Sequence, residues 1–487
     1  MTPVIVSITI AAYFAVLFFI SHLAGRKADN QGFFIGNRKS PWYVVAFAMI
    51  GSSISGVTFI SVPGWVSTNS FSYLQMVLGF TVGQLIIAYI LIPLFYRMNL
   101  VSIYGYLESR FGNSSYKTGA WFFFISKMLG ASVRLFLVCV VFQLLVFEPL
   151  GWPFFLNVFC TVGLVWLYTV RGGVKSLIWT DTLKTFCLLV SVLLCIYFIA
   201  SNLGFKLSEM TLAVKNSEYS KTFFFDDFND KRYFFKQFLA GIFTVIATTG
   251  LDQDMMQRNL SCKNASDSRK NMVVSAIMQF FVIAMFLILG VLLYLFAGRN
   301  GITLPPKTDK VFPMIATQGY FPVVTGILFV LGLIAAAYSA AGSALTSLTT
   351  SFTVDILKSA GKKDENRTAK TRKRVHIGMA VVMGLVILLF NVLNNTSVVD
   401  AVYVLASYTY GPILGMFAFG IFTRKQVKDR YIPVVALLAP VFCFILHQNS
   451  EQWLNGYKFS YELLILNALF TFIGFLIVAK KTTDKTP

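Results

Sequence analysis

The chain has 487 residues, 56% of them apolar and only 13% charged, with 49 Phe and a formal net charge of +20. That much apolar surface cannot fold into one water-soluble globule without large exposed patches, so lipid must solvate much of the exterior. Three His and the lack of any HExxH, CxxC, GxSxG or P-loop pattern leave no support for a metalloprotease, a redox enzyme or an NTPase.

The expected fold is an all-α membrane protein of about thirteen apolar spans, each roughly 18 to 30 residues and able to cross a hydrocarbon core of about 30 Å. In chain order they cover 4–24, 42–66, 73–97, 118–147, 152–170, 176–202, 236–257, 271–298, 321–357, 377–393, 397–423, 431–447 and 460–479. Arg26 and Lys27 follow the first span instead of preceding it, and no small-residue cleavage site stands out, so it reads as a retained helix and not a secretory signal. Alternating sides from there places most Lys and Arg in cytoplasmic loops, an N-out, C-in arrangement in the inner (plasma) membrane. Orientation and anionic lipid therefore explain the basic excess, and nucleic acid is not called for. Five of the six Cys fall in apolar spans and Cys262 in a predicted cytoplasmic loop, which gives no disulfide framework.

Spans two and seven differ from the rest. Gly51-Ser52-Ser53-Ile54-Ser55-Gly56 interrupts the former, and Thr248-Thr249-Gly250-Leu251-Asp252-Gln253-Asp254 the latter. Unwound backbone at membrane depth costs several kcal/mol per unsatisfied peptide group unless it lines a cavity or is buried by protein, so both breaks are expected to face one internal site. They lie five spans apart, which places them alike in two successive five-helix units. An odd number of helices inverts the second unit, giving a 5+5 inverted-repeat core with two discontinuous helices. The units are expected at 41–205 and 206–425, flanked by an extra helix and loop at 1–40 and two C-terminal helices at 426–487. Close helix packing by Gly and Ser is the alternative for either break. The segment 204–235, with Phe223 to Asp230 mixing aromatic and acidic residues, reads as an interfacial helix or a lid.

Carbonyls freed at a helix break, together with hydroxyls from a neighbouring helix, can hold a driving cation. The ninth span supplies a small-residue and hydroxyl face from Ala335 to Ser347, although such a face also serves packing. Asp181, inside an apolar span, is a functional candidate, with an ion pair to Lys184 or Arg171 as the structural alternative.

Several motifs occur together and in order: Gly51 to Gly56, the Leu100 to Phe111 loop LVSIYGYLESRF, Tyr168 to Gly173 running on to Trp179-Thr180-Asp181, Asp252 to Arg258, and the hydroxyl-rich helix from Ala335 to Asp355. On these the chain resembles the sodium/solute symporter family from the second span to the eleventh. The resemblance implies a sodium site made by the carbonyls of Gly51, Ile54 and Ala336 and by hydroxyls at the positions of Ser339 and Ala340. Ala340 departs from the family's usual Ser or Thr, so one ligand is missing. A second sodium in some relatives implies Asp181 with hydroxyls at the positions of Gly342 and Ser343, of which only Asp181 and Ser343 keep the chemistry. For the solute, the resemblance points to Ser53, Thr58 and Asp252, with an aromatic gate where Asp254 stands.

Neither aspartate matches the residue type that the resemblance implies for the family's sugar-transporting members. The two carboxylates are suited to accept hydrogen bonds from sugar hydroxyls or to hold an amine. Arg134 is suited to bidentate capture of a carboxylate or to neutralising Asp252 or Asp254, and the neutralising role is the expected one. Tyr408 to Pro412 is expected to interrupt the eleventh span as a wall or hinge of the same cavity, Tyr408 facing the solute; a Pro kink is the alternative.

The function expected is sodium-coupled symport of a small organic solute, a sugar or sugar-like molecule, by alternating access. The chain is not expected to be an enzyme, and no cofactor or obligate protein partner is expected beyond sodium, the solute and the bilayer. The runner-up is a carrier of a carboxylate-bearing anion of monocarboxylate, sialic acid or vitamin type, or a proton-coupled carrier. A non-transporting solute sensor is the different class, and the lack of a kinase-like extension after Lys481 is read against it.

Overall fold

The computed structural model describes residues 3–25, 40–54, 56–98, 100, 102–169, 174–357, 365–393 and 398–480. Among them the only bridges between extended residues are two isolated ones, Ser40 with Cys262 and Val427 with Ala479; all else that is regular is helix. The first half holds α1 (Pro3–Gly25), α2 (Trp42–Ser53), α3 (Gly56–Asn69), α4 (Tyr73–Arg97), α5 (Gly105–Arg110), α6 (Asn113–Phe147), α7 (Phe154–Thr169) and α8 (Val174–Asn202). The second holds α9 (Leu207–Lys215), α10 (Phe234–Gly250), α11 (Gln253–Asn259), α12 (Ala265–Arg299), α13 (Val311–Thr317), α14 (Val323–Ser351), α15 (Glu365–Leu393), α16 (Val398–Phe422), α17 (Ile432–Gln448) and α18 (Leu463–Ile477).

Among the described residues, eight helices can cross a membrane by length and composition, or ten if each of two bent pairs is one span; α7, α18 and Val4–Phe19 of α1 are shorter apolar helices. Large apolar side chains stand on the outside of these helices, among them Phe159 at 76%, Val392 at 77% and Ile477 at 79% exposure. Such a belt is stable only against lipid. The chain is an integral, multi-pass membrane protein.

The two bent pairs are the two interrupted spans. The axes of α2 and α3 meet at 56°, those of α10 and α11 at 74°. At the first break Ser52 and Ser53 fold their hydroxyls back onto the carbonyls of Ala48 (3.0 Å) and Met49 (2.9 Å), and Ile54 turns extended at φ −92°, ψ 103°. Serine competing for backbone groups in this way weakens a helix end and leaves the next carbonyls without helical partners. At the second break a π-turn over Ile246–Gly250 runs into Asp252, extended at φ −96°, ψ 120°, whose carboxylate caps α11 by accepting from the Met255 N–H at 3.1 Å. The loop before α5 plugs this break. Tyr104 donates to the Leu251 carbonyl at 2.9 Å, and the Ile103 N–H donates to Gln253 Oε1 at 2.8 Å. Peptide groups that lipid could not serve are thus served by protein.

The eleventh span is not interrupted. α16 runs unbroken from Val398 to Phe422 with Pro412 inside it, so the expected break at Tyr408 to Pro412 is a proline accommodated within a continuous helix.

Segment 204–235 carries α9 and is pinned to the start of α4 by Gln75, which donates to the Arg232 carbonyl at 2.8 Å and accepts from the Phe224 N–H at 3.1 Å. α4 and α10 touch backbone to backbone. A Cβ at Gly241 would sit 2.1 Å from the Met76 carbonyl oxygen, and one at Gly79 2.2 Å from that of Phe238. Small residues allow such approach, which in lipid is a main source of helix association. Gly241→Val is therefore expected to push α4 and α10 apart, costing about 3 kcal/mol or more; the check is the yield of monodisperse protein after detergent extraction, which should fall to background.

Candidate functional site

A central cavity lies between the two breaks. Ser53 and Thr58 from the first broken span, Thr248 and Asp252 from the second, Lys127 and Arg134 from α6, and Tyr73, Tyr403 and Tyr410 line it. Of the residues expected to meet the solute, Ser53, Thr58, Arg134 and Asp252 share this cavity; Asp254 and Tyr408 do not line it. Tyr408 turns to the far side of α16, its hydroxyl 2.6 Å from His447 Nδ1, while Tyr410 takes the inward position. Two residues along a helix rotate a side chain by roughly 200°, so these two tyrosines cannot face one site.

Lys127 neutralises the aspartates. Its Nζ lies 3.1 and 3.0 Å from the two oxygens of Asp252 and 3.1 Å from Asp254 Oδ2, with all three side chains nearly fully buried. The neutralising role expected of Arg134 thus belongs to Lys127, two helical turns before it. The Asp252 carboxylate has its acceptor positions filled: Lys127 reaches both oxygens, the Met255 N–H donates to Oδ1 and the Tyr410 hydroxyl to Oδ2 at 2.7 Å. Asp254 accepts from Ser343 at 3.0 Å and faces Arg258 at 3.6 Å. Both carboxylates are spent inside the protein, which removes the ground for their binding sugar hydroxyls or an amine.

Arg134 is different. It is half-buried, it lines the cavity, and no carboxylate among the described residues lies within the 4.0 Å of an ion pair.

Beyond Asp254 the charges continue. Arg258 Nη1 stands 2.8 Å from Asp181 Oδ2 and also meets the Ser52 hydroxyl of α2, and Lys184 Nζ lies 3.3 Å from Asp181 Oδ1. The pair of Asp181 with Lys184 was readable from spacing. Arg258, 77 residues away, was not, and Arg171 lies outside the described residues.

Among the expected sodium positions, Gly51, Ile54, Ala336 and Ala340 are buried, and α2, which carries Gly51, packs against α14, which carries the two alanines. The side chain of Ser339 lies outside the described residues. Gly51 is pressed against α8, where an added Cβ would strike Thr185 Oγ1 and approach the Asp181 carbonyl, so the break and the Asp181 turn form one unit.

One end of the cavity is closed by tyrosines. The hydroxyls of Tyr73 and Tyr403 meet at 2.6 Å, and the Tyr403 ring lies tilted at 45° against Tyr461, 4.8 Å between centres; the Tyr461 hydroxyl donates to Asp400 at 2.6 Å. Beyond them a larger cavity of about 640 Å³, lined by Trp65, Lys231, His447 and Tyr461, shares Leu405 with the central one. Tyr403→Phe removes one neutral hydrogen bond, worth about 1 kcal/mol. Solute exchange in counterflow is expected to speed up by roughly fivefold if opening this pair limits it.

A model of the sodium:solute symporter family matches residues 33–429. The chain belongs to that family. It is a sodium-coupled symporter of small solutes, not an enzyme, and sodium is its coupling ion. The sodium/sialic acid symporter of Aliivibrio fischeri is 25% identical over 463 residues, covering 89% of this chain and 86% of that protein. The sodium/glucose cotransporter of Vibrio parahaemolyticus is 26% identical over 445 residues, covering 85% and 79%. Among solved structures, the substrate-bound outward-open state of a Na+-coupled sialic acid symporter superposes with a TM-score of 0.82 at 19% identity, covering 98% of this chain and 99% of that one. At that identity the likeness speaks for the fold alone.

Proposed function

We propose that this symporter imports a small organic anion bearing a carboxylate, with or without sugar-like hydroxyls, together with sodium and by alternating access. The observation that carries it is Arg134: a guanidinium in the solute cavity with no counter-charge among the described residues, while Lys127 and Arg258 are spent on aspartates. A half-buried guanidinium with its water partly removed gains from a counter-charge, and a carboxylate offers it two parallel charge-assisted hydrogen bonds. The Thr58 hydroxyl lines the same cavity, and the hydroxyl oxygens of Ser53 and Tyr410, whose protons go to the Met49 carbonyl and to Asp252, can still accept from polar groups of the same molecule. The sialic acid relative fits this chemistry, and the glucose relative supports the hydroxyl part. A neutral sugar, the solute expected first, leaves Arg134 without a counter-charge among the described residues.

The sodium ligands in this reading are the carbonyls of Gly51, Ile54 and Ala336 and the hydroxyl of Ser339, with water in place of the hydroxyl that Ala340 lacks. The two bent pairs support inverted repeats at 41–205 and 206–425. The reading adds to them thirteen spans, N-out and C-in, in the inner (plasma) membrane, with 1–40 and 426–487 as additions and no obligate protein partner.

The test is counterflow in proteoliposomes across sugars, sialic acid, short carboxylates, amino acids and vitamins. Carboxylates should compete and neutral sugars should not, with accumulation collapsing when the sodium gradient is abolished. Uptake of glucose alone would overturn the anion assignment, and uptake indifferent to sodium would overturn symport.

A further inference from the structure

We infer that Lys184 and Arg258 are built-in cations that stand where a second coupling sodium would meet Asp181, so that the carrier binds one sodium per cycle. The inference rests on the sodium-symport reading but not on which solute is carried. Asp181 is fully buried in α8, and a carboxylate at that depth requires a positive partner. In a two-ion carrier the partner can be mobile. Here it is part of the chain: Arg258 Nη1 lies 2.8 Å from one oxygen and Lys184 Nζ 3.3 Å from the other, both as ion pairs. Lys184 is itself 1% exposed, with its ammonium 4.9 Å from the centre of the Tyr168 ring. A cation packed in this way cannot be released with the solute.

The neighbouring positions agree. Ser343, the other residue that could serve a second ion, donates its hydroxyl to Asp254 at 3.0 Å. Position 342 has no room for a hydroxyl, because a Cβ on Gly342 would fall on the Tyr168 hydroxyl, which is held by the Tyr338 carbonyl. Charge closes the argument. Along the continuous buried chain, Lys127, Arg258 and Lys184 stand against Asp252, Asp254 and Asp181, so no negative charge is left over to draw in another cation.

The experiment counts radioactive sodium bound to the purified, solute-free full-length carrier in alkaline buffer, where protons compete least. One ion per chain is expected; two ions, or none, overturn the inference. Lys184→Met keeps length and packing but removes one charge. It should admit a second bound sodium and make uptake depend on sodium more steeply than first order, a change that loss of a merely structural contact would not produce. If the variant is well folded and its count stays at one, Lys184 is not the stand-in. Because the count is made without solute, its outcome is independent of the counterflow result that tests the anion assignment.

Discussion

Arg134→Leu is expected to abolish accumulation of carboxylate solutes while leaving the carrier folded. Two charge-assisted hydrogen bonds to a carboxylate are worth about 3 to 5 kcal/mol together, so apparent affinity should fall by about a hundredfold to several thousandfold. Arg134→Lys keeps the charge but loses the fork, and should recover only part of the binding. Since Arg134 holds no internal ion pair among the described residues, its melting temperature in detergent should stay near that of the wild type. Full retention of uptake and solute choice in Arg134→Lys would remove the arginine from solute recognition.

Lys127→Met should show the opposite pattern, a large loss of stability. It strips the shared cation from Asp252 and Asp254, leaving the first with Tyr410 and a backbone N–H and the second with Ser343 and a 3.6 Å contact to Arg258. Removing one partner of a buried ion pair costs about 3 to 5 kcal/mol, because the remaining charge cannot be rehydrated. Thermal unfolding followed by intrinsic fluorescence should show the fall. The double variant Lys127→Met with Asp252→Asn should recover much of it, since neither charge is then stranded. If the single and double variants melt alike, the pairing is not what holds this region together.

The contrast between these two residues also shows where sequence reading stops. Both breaks were readable, because Gly, Ser and Thr runs recur five spans apart inside otherwise apolar spans, a register that helix packing alone does not require. The pairing of Asp181 with Lys184 was readable too, being local to one helix. The partner of Asp252 was not. Lys127 and Arg134 lie seven residues apart on α6, two turns and roughly 10 Å along one face, so pattern puts both toward the core without saying which is level with the second break. That level is set by contacts 125 residues distant in the chain. The exchange of Tyr408 for Tyr410 has the same origin: the helix was expected to open at Gly411 and Pro412, and a continuous α16 rotates the facing residue by two positions. The LVSIYGYLESRF loop carried a resemblance but no stated task, and its use in serving the peptide groups of the second break needed coordinates.

The chain's own cations beside Asp181 bear on cellular energetics. Charges fixed to the protein go out and back with it, so the net current of a cycle is carried by the cargo alone. One Na+ and one carboxylate sum to zero. Membrane voltage, worth about 2.3 kcal/mol per elementary charge per 100 mV, would then neither drive nor oppose net import. The ceiling on accumulation would be the sodium concentration ratio by itself, and a depolarised cell that still excludes sodium would go on feeding.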